Sequence, residues 1–186
     1  KRSLPWRKNV SERKRQYYTL VSEFMLQQTQ VVTVIPYFNR FIKIIPDLRS
    51  LSKVQNKKLI KLWEGLGYYS RARNLKKTAQ AILKDFNGKL PNNFEELTLL
   101  PGIGSYTASA ILAIAFNKPY IPLDGNIERV LKRYLYLKKD KEIQKNNLIQ
   151  KKNIFGTSIR SSAYAQALME LGALICKPKN PLCYKC

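Results

Sequence analysis

Apolar residues recur along this chain at the three- and four-residue spacing of helices, and nowhere do they alternate as a strand requires. Tyr17, Leu20, Val21 and Phe24 mark one helical face, with Glu23 off to its side. Val34 to Ile45 continues as a helix interrupted near Pro36. Leu59, Leu62, Trp63 and Leu66 form a further stripe, ending at Gly65 and Gly67. Leu75, Ala79, Ile82, Leu83 and Phe86 predict an amphipathic helix stopped by Asn87-Gly88. Phe94 to Leu100 predicts a short helix, and Ala108, Ile111, Leu112, Ala115 and Phe116 a buried one. Ile127, Val130, Leu131, Tyr134 and Leu135 predict another, with Asp124 at its N-cap. Tyr164, Leu168, Leu171 and Ile175 set a last helix that delivers Cys176. The stretch Lys138 to Lys152, rich in Lys and Asn and weakly periodic, reads as a variable surface region. The expected class is all-α, without an internal repeat.

The 186 residues suffice for one or two compact lobes, and an apolar fraction of 45% excludes a disordered chain. No stretch approaches the roughly 20 apolar residues of a membrane span, and no signal-peptide pattern opens the sequence. Lys and Arg number 34 against 12 acidic residues, a net charge of +22, so a nucleic acid is the leading partner. Lys, Asn and Ile are abundant throughout, as in proteins of AT-rich genomes, and such drift is the plain alternative. The chain has no histidine, which excludes Ser-His-Asp and Cys-His catalysis and every His-ligated metal. Acid–base chemistry must rest on carboxylates, Lys, Tyr or Cys.

Leu99-Leu100-Pro101-Gly102-Ile103-Gly104-Ser105-Tyr106-Thr107 places a tight turn between two helical patterns. The free N–H groups that open the second helix, beside Gly102 and Gly104, form a hollow suited to a phosphate; a bare helix–helix turn is the alternative. Followed by Leu123-Asp124-Gly125-Asn126, this stretch resembles the helix-hairpin-helix signature of the base-excision DNA glycosylases, the superfamily of endonuclease III. Ser22-Glu23-Phe24-Met25-Leu26-Gln27-Gln28-Thr29-Gln30-Val31 and Gly65-Leu66-Gly67-Tyr68-Tyr69-Ser70-Arg71-Ala72-Arg73-Asn74-Leu75 resemble the adenine-excising branch of that family.

The resemblance covers nearly the whole chain and is weakest from Lys138 to Ser162. It implies two helical lobes with a DNA-binding cleft between them. A six-helix barrel would span residues 14–120 with the helix-hairpin-helix at about 94–116; residues 1–13 plus 121–186 would form a lobe holding an iron–sulfur cluster. Removal of a purine needs an acid to protonate the base and a carboxylate to face the cationic sugar, two groups with proton affinities pushed apart. Glu23, raised in pKa by burial, is the expected acid toward N7 of a flipped adenine, and Asp124 the ionised partner, with Asn126 supporting the centre. Trp6, Glu23, Tyr106 and Gln166 match positions lining the adenine pocket, and Gln28, Thr29 and Leu66 match positions that meet the opposite strand, Leu66 as a wedge. Arg71 or Arg73 would contact phosphates. Tyr106 stands where bifunctional relatives carry a Schiff-base lysine, so a monofunctional enzyme is expected. Two departures stand out: the span from Trp6 to Glu23 is longer than usual for the family, and Gln166 replaces a Glu found in some relatives.

Cys176, Cys183 and Cys186 are spaced C-x6-C-x2-C. Such thiolates bind zinc or iron–sulfur, each of which takes four ligands. In the resembling family the run continues to a fourth cysteine and holds a 4Fe–4S cluster, so this chain is expected to be a segment of a longer protein. The expected partner is double-stranded DNA carrying a mismatch, bound by a monomer, in the cytoplasm and at the nucleoid of a bacterium, with no membrane association or secretion. Two rivals stay open: a thymine glycosylase acting on T:G mismatches, and a non-catalytic helix-hairpin-helix DNA-binding module.

Overall fold

A computed structural model describes residues 2–136 and 159–186, so the Lys- and Asn-rich stretch from Lys138 to Lys152 lies outside the described residues. Nine α-helices are present among them and no strand, as the periodicity predicts. After a single 3-10 turn at Pro5–Arg7 come α1 (Glu12–Leu26), α2 (Val31–Ile44), α3 (Leu48–Lys53), α4 (Asn56–Trp63) and α5 (Ser70–Asp85). Then follow α6 (Phe94–Leu99), α7 (Ser105–Phe116), α8 (Gly125–Tyr134) and α9 (Ser161–Glu170). A π-helical turn, Leu171–Ile175, extends α9 toward Cys176. No helix of the described residues is long and apolar enough to cross a membrane.

Side-chain caps fix three of the starts. Asp47 accepts from Ser50 N–H at 2.7 Å, Asn93 from Glu96 N–H at 2.8 Å, and Asp124 from Ile127 N–H at 2.7 Å. Each such bond satisfies an N–H that a helix start would leave open, a contribution of about 1 kcal/mol. α3 is the element the hydrophobic pattern overlooks, being too short to show a period; the Asp47 cap is its readable signal. At the other end of α5, Asn87 and Gly88 take φ of 52° and 73°, and the Gly88 N–H returns to the Ile82 carbonyl at 2.9 Å.

One expectation is corrected here. α2 runs through Pro36 without a break. The carbonyl that proline leaves without a helical partner belongs to Val32, itself exposed in the first turn, so water can serve it.

Two apolar clusters hold the chain. The larger joins Trp6, Leu20, Phe24, Phe38, Phe41, Leu59, Trp63, Leu75, Ile82, Leu97 and Ile111 from the N-terminal turn and α1 to α7. The smaller joins Ile127 and Leu131 of α8 to Leu168 and Met169 of α9. α9 also packs on α7, and α7 on α1, so α7 ties the two together. A cavity opens where the N-terminal turn, α1, α7, the start of α8 and the end of α9 converge.

Candidate active site

The cavity measures about 1520 Å³ and is lined by Trp6, Arg7, Glu23, Gln28, Thr29, Tyr106, Asp124, Asn126 and Met169 among others. That exceeds the roughly 300–1000 Å³ typical of small-molecule pockets. Glu23 projects into it from the last turn of α1 and is only 5% exposed. Its Oε2 has no hydrogen-bond partner among the described residues. Burial pushes the Glu23 carboxyl up to about 7, with the negative charge of Asp124 adding to the rise, while Arg7 and the Tyr106 hydroxyl pull the other way. A carboxyl in this setting keeps its proton close to neutrality.

Asp124 is held differently. As the N-cap of α8 it accepts the Ile127 N–H on Oδ1, and on Oδ2 it accepts Asn126 Nδ2 at 3.1 Å. Asn126 is itself fixed, because its Oδ1 accepts from Arg129 Nη2 at 2.9 Å. Arg129 also donates to the carbonyls of Gly172, at 2.7 Å, and Cys176, at 2.8 Å. Desolvation, with Glu23 and Asp124 nearby, drives the Tyr106 phenol well above its ordinary pKa, so it stays neutral.

Gly172 shows how tightly this corner is built. A Cβ there would sit 2.6 Å from Asn126 Cβ and 2.9 Å from the Asn126 carbonyl oxygen. Gly172→Ala is therefore expected to cost about 1–3 kcal/mol by overpacking and to push the start of α8 aside. Urea unfolding of the two proteins checks this; equal midpoints would contradict it.

The hairpin between α6 and α7 lies on the same side of α1. Gly102, with φ of 80°, approaches α5 so closely that a Cβ would meet Asn74 Cβ and Phe24 Cε1 at 2.9 Å. Its carbonyl accepts from Gln27 Nε2 at 3.2 Å. Gly104 has open space beside it, and the N-terminus of α7 carries no side-chain cap. Phosphate oxygens could therefore reach those N–H groups.

A family model for the HhH-GPD superfamily of base excision DNA repair proteins matches residues 21–152. The chain belongs to that superfamily. It is 44% identical over 186 residues to an adenine DNA glycosylase of Buchnera aphidicola subsp. Baizongia pistaciae, covering 100% of this chain and 52% of the relative. To the adenine DNA glycosylase of Rattus norvegicus it is 42% identical over 193 residues, covering 100% of this chain and 37% of the relative. The chain thus spans about half, or less, of these curated relatives' lengths. Among solved structures it is similar to a thermostable thymine-DNA glycosylase, with a TM-score of 0.82 and 26% identity, covering 100% of this chain and 84% of that one.

Of the residues named from sequence, the fold brings Trp6, Glu23, Gln28, Thr29, Tyr106, Asp124, Asn126 and Gly104 to the HhH-GPD cavity. Trp6, despite its long separation from Glu23, packs edge-on against Phe38 at 5.3 Å and reaches the wall. Three residues behave otherwise. Leu66 is 5% exposed and part of the larger core rather than a wedge presented to a duplex. Gln166 is buried off the cavity, donating to Ser162 Oγ at 3.0 Å, and Met169 one turn later lines the wall instead. Arg71 borders the cavity, yet its guanidinium is buried against main-chain carbonyls and is not a surface phosphate ligand. It donates to Met25 O at 2.8 Å, to Leu66 O, Gly67 O and Thr29 Oγ1 at 3.0 Å, and to Gln27 O. Arg73, which follows it, is exposed. Arg7 and Gln27 were not legible as site residues; Gln27 stands inside the amide-rich run, but nothing in the spacing of Arg7 marks it.

The three cysteines do not meet the requirements of a cluster as they stand. Cys176 is half-buried with Arg133 Nη1 3.2 Å from its Sγ, while Cys183 and Cys186 are exposed. Among the described residues no three His, Cys, Asp or Glu groups are gathered to hold a metal. A 4Fe–4S cluster takes four thiolates, of which Cys176, Cys183 and Cys186 would supply three.

Proposed function

We propose that this chain is the catalytic part of a monofunctional adenine DNA glycosylase that removes adenine mispaired with 8-oxoguanine or guanine from double-stranded DNA. The observation that carries the reading is the pair of carboxyl groups on one cavity, Glu23 buried with a raised proton affinity and Asp124 oriented by two donors. The identity to proteins named adenine DNA glycosylase supports the choice of base.

A purine leaves its sugar readily only once its ring nitrogen is protonated. Glu23, with Oε2 free of other partners, donates its proton to N7 of an adenine turned out of the duplex. As the N-glycosidic bond lengthens, positive charge gathers on the sugar. The Asp124 carboxylate, fixed by the Ile127 N–H and Asn126, faces that charge. The adenine departs with the proton from Glu23; water then adds its oxygen to C1′ of the sugar and gives up a proton to the Glu23 carboxylate, which restores the acid. Tyr106 offers a neutral hydroxyl and no amine, so no Schiff base forms at that position and strand cleavage requires alkali. Exposed cations, among them Arg73, supply the non-specific attraction to phosphates.

Asp124→Asn separates the cap of α8 from the catalytic charge, since Asn caps a helix as well as Asp does. Stability is expected to change by less than about 1 kcal/mol, while excision falls by roughly a hundredfold. Thermal melting and single-turnover excision from a duplex with adenine opposite 8-oxoguanine check the two halves.

The thymine reading draws on one observation, the similarity to a thymine-DNA glycosylase structure. Parallel lanes with A opposite 8-oxoguanine and T opposite G decide between the bases. Release of adenine with alkali-dependent nicking supports the proposal, and release of thymine alone overturns it. A module that only binds DNA would release neither.

A further inference from the structure

One buried charge cluster beside the site has no role in the chemistry just described. Glu170, the last residue of α9, accepts from Arg7 Nη1 at 2.8 Å and from Arg2 Nη2 at 2.9 Å and Nε at 3.1 Å on the same Oε1. The Arg7 and Glu170 side chains are only 11% and 9% exposed. Arg7 also lines the cavity into which Glu23 projects. One guanidinium therefore acts on two buried carboxyl groups, and one of them holds it as a close ion pair. In this structure that one is Glu170.

We infer that Glu170 is a positioning residue for the acid: by holding Arg7 at the end of α9 it keeps the guanidinium from pairing with Glu23, which would strip that carboxyl of its proton. The inference rests on the reading of Glu23 as proton donor. An opposite charge within about 4–6 Å favours the ionised form of a carboxyl by one to three pH units, enough to empty this acid at neutral pH.

The other groups around Glu23 do not substitute for this control. Asp124, from the start of α8, is negative and favours the proton; Tyr106, from α7, is a neutral phenol. Arg71, from α5, is occupied by the carbonyls of Met25 and Gln27. α2 contributes the apolar Val34, Phe38 and Phe41. Arg7 is the cation that acts on Glu23, and its partner decides how strongly.

The test follows the Glu23 proton in two ways in the full chain. Carboxyl carbon-13 shifts in glutamate-labelled protein, assigned with Glu23→Gln, give its titration midpoint without any need for turnover. Single-turnover excision against pH gives the same midpoint through chemistry. Glu170→Gln is expected to lower both midpoints by at least about one pH unit, and Glu170→Asp to restore most of the shift. The double variant Glu170→Gln/Arg7→Gln lacks the buried orphaned guanidinium, leaving only that of Arg2, whose side chain is 34% exposed and reaches water, and should fold even if the single variant does not; its midpoint is expected at or above that of the unaltered protein. A Glu170→Gln protein whose rate falls equally at every pH, with the carbon-13 midpoint unmoved, would show that Glu170 merely anchors the N-terminal segment. A double variant with a lowered midpoint also overturns the inference. Absence of excision in the unaltered protein counts against the proposed function alone, because the carbon-13 titration still reads the pairing.

Discussion

Glu23→Gln is expected to lower single-turnover adenine excision by roughly a thousandfold, the scale of a lost general acid, while leaving duplex binding near its original strength. Glutamine fills the same space and cannot donate the required proton. The same substitution has a signature in stability that needs no substrate. The folded carboxyl titrates near 7 against an ordinary 4.5, so between those values the folded chain binds more protons than the unfolded one. Stability conferred by the protonated group is complete below about 4.5 and is lost as pH rises through 7. The full loss is on the order of 3 kcal/mol. Glu23→Gln carries no such loss, so it should melt close to the unaltered protein at pH 4.5 and above it at pH 8. Melting curves at the two pH values, beside an excision profile that declines above about 7, test both consequences. A variant that melts lower at pH 8 would refute the burial of an uncompensated acid.

The second large effect is on the fold. Arg71→Ala removes one guanidinium from the carbonyls of Met25, Gln27, Leu66 and Gly67 and from Thr29 Oγ1. Several of these acceptors are buried, and each left without a donor costs about 1–3 kcal/mol. A total of roughly 4 kcal/mol is expected after relaxation, or a fall of about 10 °C in Tm for a chain of this size. Arg71→Lys should recover little. An ammonium cannot span acceptors on both the α1 end and the Leu66–Gly67 turn. Because those acceptors include the segment bearing Gln27 and Thr29, the cavity wall should loosen as well. Differential scanning calorimetry of the three proteins checks the order; a Lys variant as stable as the Arg protein would contradict it.

The course of the helices was legible because their periodicity is local, and so was the Asp124 cap, whose donor lies three residues away. Glu23 and Asp124 emerged as a pair through motif likeness; hydrophobic spacing placed Glu23 only at the side of a stripe. Arg71 reads as a surface cation because it follows glycines and tyrosines; only the fold reveals that two chain turns close over it. Leu66 reads two ways, as the end of an apolar stripe and, by the resemblance, as a wedge toward DNA, and the fold keeps it in the core with its stripe. The Arg7–Glu170 pair was out of reach altogether, since its partners come from opposite ends of the chain. Pro36 misled for the reverse reason: a local rule predicted a break, and an exposed carbonyl one turn earlier removed the need for it.

The cavity walls come from the N-terminal turn, α1, the α6–α7 hairpin, the start of α8 and the end of α9. Those walls come from segments far apart in the sequence and meet only in the folded chain, so opening any one of them would wet Glu23, and a wetted carboxyl surrenders its proton at neutral pH. The proton affinity of that one side chain is thus a property of the whole fold rather than of the helix that carries it.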